Sequence, residues 1–314
     1  MSKYNDNKTD NFMEPAVSQY GSHMVMTNVH KHLKTKYVNI DTIFADEYNL
    51  SSLADYNITL PEKITNVQSV SISNVNLPIC FYNISSDLGN NIFSLNYLSI
   101  NYLFQIPNNQ YNTINELITA MNTVIRTNTI IYDANNLLGY TGFFLYNNTV
   151  LFKSVLTNPI TLHFDVNSLG TDRYNFKSKL GWLLGFRNIS YIIRPVTTVP
   201  SQITAECIYN LNTVRYLYLV MDEFSRGNQN TFISPLPVSL INKNIIAKLS
   251  LNSAMYPFKS IIPLNRYLGL MTDQRTYSGK IDLQKLNIKL INEYGKPINL
   301  NGNHFAFCME ITHE

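Results

Sequence analysis

The chain has 314 residues, only 14% of them charged, and a formal net charge of +3. That length buries a sizeable core in one large domain or two ordinary ones, and so mild a charge excludes the concentrated basic face of a general nucleic-acid groove. No apolar run reaches the length of a bilayer span, and the N-terminus is polar rather than signal-like, so neither a membrane span nor signal-peptide secretion is expected.

Twenty-one Tyr and 16 Phe stand against one Trp, with 12 Gly, 12 Pro and abundant Asn. This composition suits a β-rich protein whose polar positions carry uncharged amides; an AT-rich genome would favour Asn as well. Cys80, Cys207 and Cys308 are odd in number and far apart. They read as free thiols of a reducing compartment, not as a disulfide framework or a C-x-x-C metal site. The N-x-S/T match at Asn57–Thr59 follows from Asn abundance, and GSHM at 21–24 has no polyhistidine before it.

Residues 1–36 lack sustained periodicity and include the basic piece HKHLKTK. They are expected to form a flexible N-terminal arm that orders against a neighbour, with His30, Lys31, His32, Lys34 and Lys36 solvated. Ordered structure is expected from Val38 and Ile40, followed by a turn or short helix carrying Phe44 and Tyr48. Residues 55–78, DYNITLPEKITNVQSVSISNVNLP, are the centre of the fold. Tyr56, Ile58 and Leu60 alternate with polar residues as a half-buried strand requires, and Pro61 is expected to end that strand. In a second strand the apolar phase moves from Val70 and Ile72 to Val75 and Leu77, which predicts a bulge or a sheet crossing at Ser73 and Asn74.

Gly89, Asn90 and Asn91 predict a turn before a strand with Phe93 and Leu95 on one face, and a further strand from Ser99 to Ile106 ends at Pro107. The period then changes. Thr113 and Glu116 have capping-box spacing, and Ile114, Leu117, Ile118, Met121 and Ile125 recur as the apolar face of a helix of about 13 to 15 residues. Three short strands follow at 143–146, 150–153 and 160–164, the first two joined by Asn147-Asn148 as a hairpin. KSKLGWLLGF at 177–186 predicts a compact helical turn with Leu180, Leu183 and Leu184 on one face.

Four strong strands come after Pro195 and Pro200. Val214, Tyr216, Tyr218 and Val220 lie on one face of the first and Leu217, Leu219 and Met221 on the other, so both faces are expected to be covered. Ile245, Ala247, Leu249 and Leu251 alternate with a wet face. The third strand, 281–291, changes phase between Leu283 and Leu286, and the last puts Phe305, Phe307, Met309 and Ile311 on one face. Residues 225–241 and 264–278 are expected to be long contact-making loops. The sum is a mainly β chain: an antiparallel jelly-roll-type β-sandwich of residues 37–98 and 191–314, a small α+β unit inserted at 99–190, and the arm.

The chain lacks G-x-S-x-G, a P-loop, a G-x-G-x-x-G after a strand, and H-E-x-x-H. His23, His30, His32, His163, His304 and His313 are too scattered for a ligand set, and zinc needs four ligands in fixed geometry. Asp222 and Glu223 form the one acidic pair worth naming for glycoside hydrolysis, but neighbours on a strand point to opposite faces, so solvation at a strand end is expected. Lys177, Lys179 and Arg187 flank Trp182 in a pattern that would suit single-strand binding, though the apolar spacing there favours packing. No catalytic, cofactor-binding or metal residues are assigned.

Several stretches, taken in order, carry a resemblance. They are YVNIDTIFAD at 37–46, YNITLPEKITNVQSVSISNVNLP at 56–78, GNNIFSL at 89–95, the YNTINELITAMN helix, LGF at 184–186, VRYLYLVMDEF at 214–224 and GKIDLQKLNIKLINEYGKPINLNG near the end. In these the chain resembles the penton and minor capsid proteins of nucleocytoplasmic large DNA viruses and virophages. The resemblance implies a non-enzymatic structural component of an icosahedral capsid, a penton or minor capsid protein built on a single jelly roll. The chain is too short for the paired jelly rolls of a major capsid protein. Implied partners are copies of itself in a pentamer or other homo-oligomer, a major capsid protein and other minor capsid proteins, in virions assembled in the host cytoplasm. Neither a specific nucleic acid nor a cofactor is implied. The competing expectation is a receptor- or glycan-binding fibre head, since jelly rolls with Tyr and Asn in their loops are common lectin architectures.

Overall fold

The computed structural model describes residues 32–46, 53–132, 139–167, 170–171, 176–195, 200–224, 232–236, 239–242, 244–252, 255–272 and 274–314. GSHM, His23, His30 and Tyr48 lie outside them, as does most of the expected loop at 225–241. In chain order the elements begin with β1 (Lys34–Asp41), a 3-10 turn at Thr42–Phe44, β2 (Asp55–Pro78), β3 (Ile92–Tyr97), β4 (Ile100–Gln105) and α1 (Ile114–Arg126). There follow β5 (Gly142–Tyr146), β6 (Thr149–Ser154), β7 (Ile160–His163), β8 (Val166–Asn167), β9 (Gly170–Thr171), a 3-10 turn at Phe176–Ser178, α2 (Leu180–Leu183), β10 (Ser190–Ile193) and β11 (Ser201–Thr204). The rest is β12 (Tyr216–Asp222), β13 (Phe232–Leu236), β14 (Ser239–Asn242), β15 (Ile245–Ser250), β16 (Ile261–Asn265), β17 (Leu270–Thr272), β18 (Arg275–Ile291) and β19 (Ala306–His313).

The protein is mostly β, and every pairing between these strands is antiparallel. An eight-stranded sheet of order β1-β19-β2-β18-β12-β15-β17, with β16 also paired to β2, forms the main body. The 24-residue β2 is its spine. One edge of β2 pairs with β19; the other pairs first with β18 and then, from Asn74, with β16. The far end of the sheet returns to this spine where the Ile72 N–H donates to Thr272 Oγ1 on β17 at 3.5 Å. The sheet is thus curled on itself around one apolar core, in the manner of a jelly-roll sandwich. Ile72, Val75, Leu77, Leu217, Leu219, Leu286, Met309 and Ile311 are all fully buried in that core.

β2 differs from expectation at Pro61, which does not end the strand. Thr59 pairs with Lys285 and Ile64 with Leu283, so residues 60–63 face Gln284 alone. Pro61 lacks an N–H to donate and sits where the ladder asks for none, so the strand continues through it. The looped-out neighbours turn outward into ion pairs, Glu62 with Lys36 at 2.9 Å and Lys63 with Asp282 at 2.7 Å. The phase change at Ser73 is the expected bulge. Ile72 pairs with Met309 and Asn74 with Cys308, leaving Ser73 over. That extra residue is what returns Val75 and Leu77 to the buried face.

A second core belongs to a smaller α+β body. Its sheets are β10-β7-β3-β4 and β11-β6-β5, and α1 packs with them around Phe93, Leu95, Phe143, Phe152, Phe164 and Phe186. α1 is capped as its sequence predicts. Thr113 Oγ1 accepts the Glu116 N–H at 3.3 Å, while Glu116 reaches back one residue further than in the standard box, to the Asn112 N–H at 3.0 Å. Asn147 and Asn148, with φ of 45° and 60°, make the predicted hairpin turn.

Three boundaries fall elsewhere than expected. The second core extends from Ile84 to Ala205, beyond 99–190 at both ends, because β3 and β10 pair with β7 and bring Phe93, Leu95 and Tyr191 into it. β1 starts at Lys34, inside the stretch expected as arm, because its backbone pairs with β19 from Lys34↔His313 onward. Residues 264–278 contain β17 and the start of β18 rather than one long loop.

Candidate functional site

Asp222 and Glu223 do not converge. Asp222 accepts the Phe224 N–H at 2.9 Å in a turn, whereas Glu223 is buried against Arg275, Oε2 to Nη1 2.8 Å. The expectation that this acidic pair is simply solvated is corrected for Glu223. Arg275 also donates to the Met221 carbonyl at 2.9 Å, so it clamps the end of β12. Nearby, burial and then the Glu223 carboxylate push the Tyr277 phenol well above the usual tyrosine range.

Strand register brings a different set of reactive residue types together. Ser94 on β3 lies directly across from His163 on β7, and His163 Nδ1 is 3.5 Å from the Asp165 carboxylate. The residue types are those of a nucleophilic triad, but the arrangement is not one. Ser94 is fully buried and its hydroxyl has no hydrogen-bond partner, so the imidazole does not activate it. Among the described residues no group of three or more His, Cys, Asp or Glu is placed to hold a metal.

The Trp182 segment is part packing and part surface. Leu180, Leu183 and Leu184 are buried as their spacing predicts, and Lys179 is 5% exposed. Trp182 is only half-buried, with the Arg187 guanidinium 4.0 Å from its ring centroid, Lys177 Nζ at 5.7 Å and the Phe176 ring edge-on. Arg187 is held over the indole by donating to the carbonyls of Trp182 and Phe186 at 3.1 and 3.0 Å.

Trp182 also forms one wall of a cleft of about 260 Å³ between the two bodies. The opposite wall is the start of β12, with Arg215 and Tyr216, and the turn after β18, with Asn292, Glu293, Tyr294 and Lys296. Asn292 builds that turn, its side-chain oxygen accepting the N–H groups of Tyr294 and Lys296, both at 3.0 Å. The chain linking the bodies forms the cleft's base. It is tied down where the Asn210 N–H donates to the Leu183 carbonyl at 2.7 Å and the Leu251 N–H to the Arg215 carbonyl at 2.9 Å. Arg215 meets Glu293 at 3.4 Å, and burial together with the Glu293 charge pushes the Tyr294 phenol up to about 12. It therefore stays a neutral donor at physiological pH. Thr213 lines the cleft with a buried hydroxyl that has no hydrogen-bond partner. The basic side chains around Trp182 were legible in the sequence. Arg215, Glu293 and Lys296 were not, because they come from segments about 35 to 120 residues distant, and such approach is set by topology.

A third feature is β1, an edge strand of the large sheet among the described residues. Just before it, on it and in the turn after it, Leu33, Tyr37, Ile43 and Phe44 are 55%, 62%, 57% and 80% exposed. No described helix is long and apolar enough to cross a membrane.

Against known proteins, the chain matches no protein-family model and no curated sequence. Among solved structures it is similar to the selenomethionine-labelled mavirus penton protein, with a TM-score of 0.42 and 7% sequence identity over 90% of this chain and 99% of that one.

Proposed function

We propose that this protein is a structural component of an icosahedral viral capsid, a penton or minor capsid protein that works by packing against copies of itself and neighbouring capsid subunits. The observation that carries this reading is β1, an edge strand of the large sheet among the described residues, with exposed apolar side chains on it and at both its ends. A free strand edge presents unpaired backbone groups, and large apolar residues beside it lose water-exposed surface when another chain docks. The ordered motif resemblance of the sequence supports the same reading. The mechanism is then geometric, with rims of a jelly-roll body burying surface in a closed ring. The partners are this chain itself, a major capsid protein and other minor capsid proteins, and the place of action is the virion. Sedimentation of the purified protein is expected to give a pentamer or other closed ring, and mass spectrometry of virions to contain the chain. A monomer at high concentration, together with absence from virions, refutes the proposal.

A further inference from the structure

We infer that the cleft between α2 and the turn at 292–296 binds an acidic sugar residue, a carboxylated or sulfated monosaccharide at the end of a glycan. Three observations point to that chemistry. First, the charge balance of the walls is positive. Lys177, Arg215 and Lys296 face Glu293, and Arg215 is already paired with that carboxylate at 3.4 Å. No described carboxylate lies in ion-pair contact with Lys177 or Lys296, so two cations remain for one anionic group of a ligand.

Second, part of the remaining lining suits hydroxyls. Asn210 and Asn292 use their side-chain oxygens within the fold and keep their NH2 groups as donors, Tyr294 supplies a neutral phenol, and Glu293 an acceptor carboxylate. A carboxylate at that position favours sugar hydroxyls and disfavours a polyphosphate chain. Third, the aromatic rings here are not open platforms for flat bases. Arg187 lies 4.0 Å over the Trp182 ring and Lys248 4.4 Å over Tyr216, so each offers one face at most. A base held as single strands are held needs successive free ring faces. A volume of about 260 Å³ suits a single sugar ring rather than an extended chain.

Trp182 is the only tryptophan of the chain and lines the cleft, so its emission reports occupancy directly. The full-length protein is titrated separately with sialyllactose, a heparin-derived disaccharide, lactose and a short thymidine oligonucleotide. A saturable change in Trp182 emission with sialyllactose identifies a carboxylated ligand and one with the heparin disaccharide a sulfated ligand; lactose is expected to give none. The variant Lys177→Ala/Lys296→Ala is expected to bind at least ~10-fold more weakly, two charge-assisted hydrogen bonds being lost. Silence toward both acidic sugars, an equal response to lactose, a tighter response to the oligonucleotide, or unchanged affinity in the double-lysine variant overturns the inference. The sedimentation test of assembly is independent of these outcomes.

Discussion

Phe93→Ala tests whether the two apolar cores are energetically separate. Phe93 is fully buried at the centre of the second core, its ring stacked on Phe104 at 5.3 Å and meeting Phe143 edge-on at 5.3 Å. Truncating a buried Phe removes its transfer free energy and leaves a cavity that rigid strands on both sides fill poorly, a cost of about 3–5 kcal/mol. For a body of about 120 residues each kcal/mol lowers the melting temperature by roughly 3–5 °C, so a fall of roughly 10–20 °C is expected. Trp182 sits in this body, and its emission follows the second core's melting. Unfolding of the main sheet is followed by the far-UV circular dichroism change that does not track Trp182 emission. Phe93→Ala is expected to shift the Trp182 transition alone. Ile72→Ala, fully buried in the first core and worth about 2–5 kcal/mol, is expected to shift the sheet transition and leave the Trp182 signal in place. If each variant lowers both signals together, the cores unfold as one cooperative unit and the reasoning fails.

Arg275→Met leaves the Glu223 carboxylate buried without its cation, and urea unfolding is expected to show a loss of about 3–5 kcal/mol, most of it recovered in Arg275→Met/Glu223→Leu. A single-variant loss below about 1 kcal/mol, the value of an exposed pair, would contradict the burial of that contact. Burial pushes the Cys80 thiol from 9.0 to about 11. The folded state then holds its proton to higher pH than the unfolded state, so this contribution to stability is whole below pH 9 and is lost as pH rises toward 11. Urea midpoints should fall more steeply across that window in the native sequence than in Cys80→Ala, and equal slopes would refute the assignment. Gly185 has a φ of +97°, and a Cβ there would lie 2.0 Å from the Cys207 carbonyl oxygen. Gly185→Ala is expected to cost about 1–3 kcal/mol from backbone strain alone, with the clash added, and an unchanged melting temperature would rule out this close approach.

The elements that patterning predicts best are those where one local rule decides the outcome. α1 has its apolar face written into the 13 residues Ile114–Arg126 and its cap into Thr113 just before them, and the Asn147-Asn148 hairpin needs only two residues able to adopt positive φ. The Ser73 bulge was legible because a one-residue slip moves every later side chain to the other face. Pro61 misled for the opposite reason. A proline ends a strand only if its partner strand needs the missing donor, and whether β18 needs it there depends on register. The cleft shows the same limit: LGWLLGF and its flanking cations could be read, but their opposing wall could not.

Asparagine marks the division most clearly. By composition alone it is an uncharged polar residue suited to a β protein. In the folded chain several Asn residues act as backbone substitutes. Asn122 on α1 accepts the Phe143 N–H and donates to the Phe143 carbonyl, both at 2.8 Å, and Asn83 does the same for Tyr111, both at 2.9 Å. The sequence by itself determined an antiparallel β protein with one good helix and alternating apolar faces, because those periodicities act between near neighbours. Which strand meets β2, where the cores divide, which amides close the ladders and which charges line the cleft were decided only in the folded chain, because they depend on contacts between distant segments that no local pattern specifies.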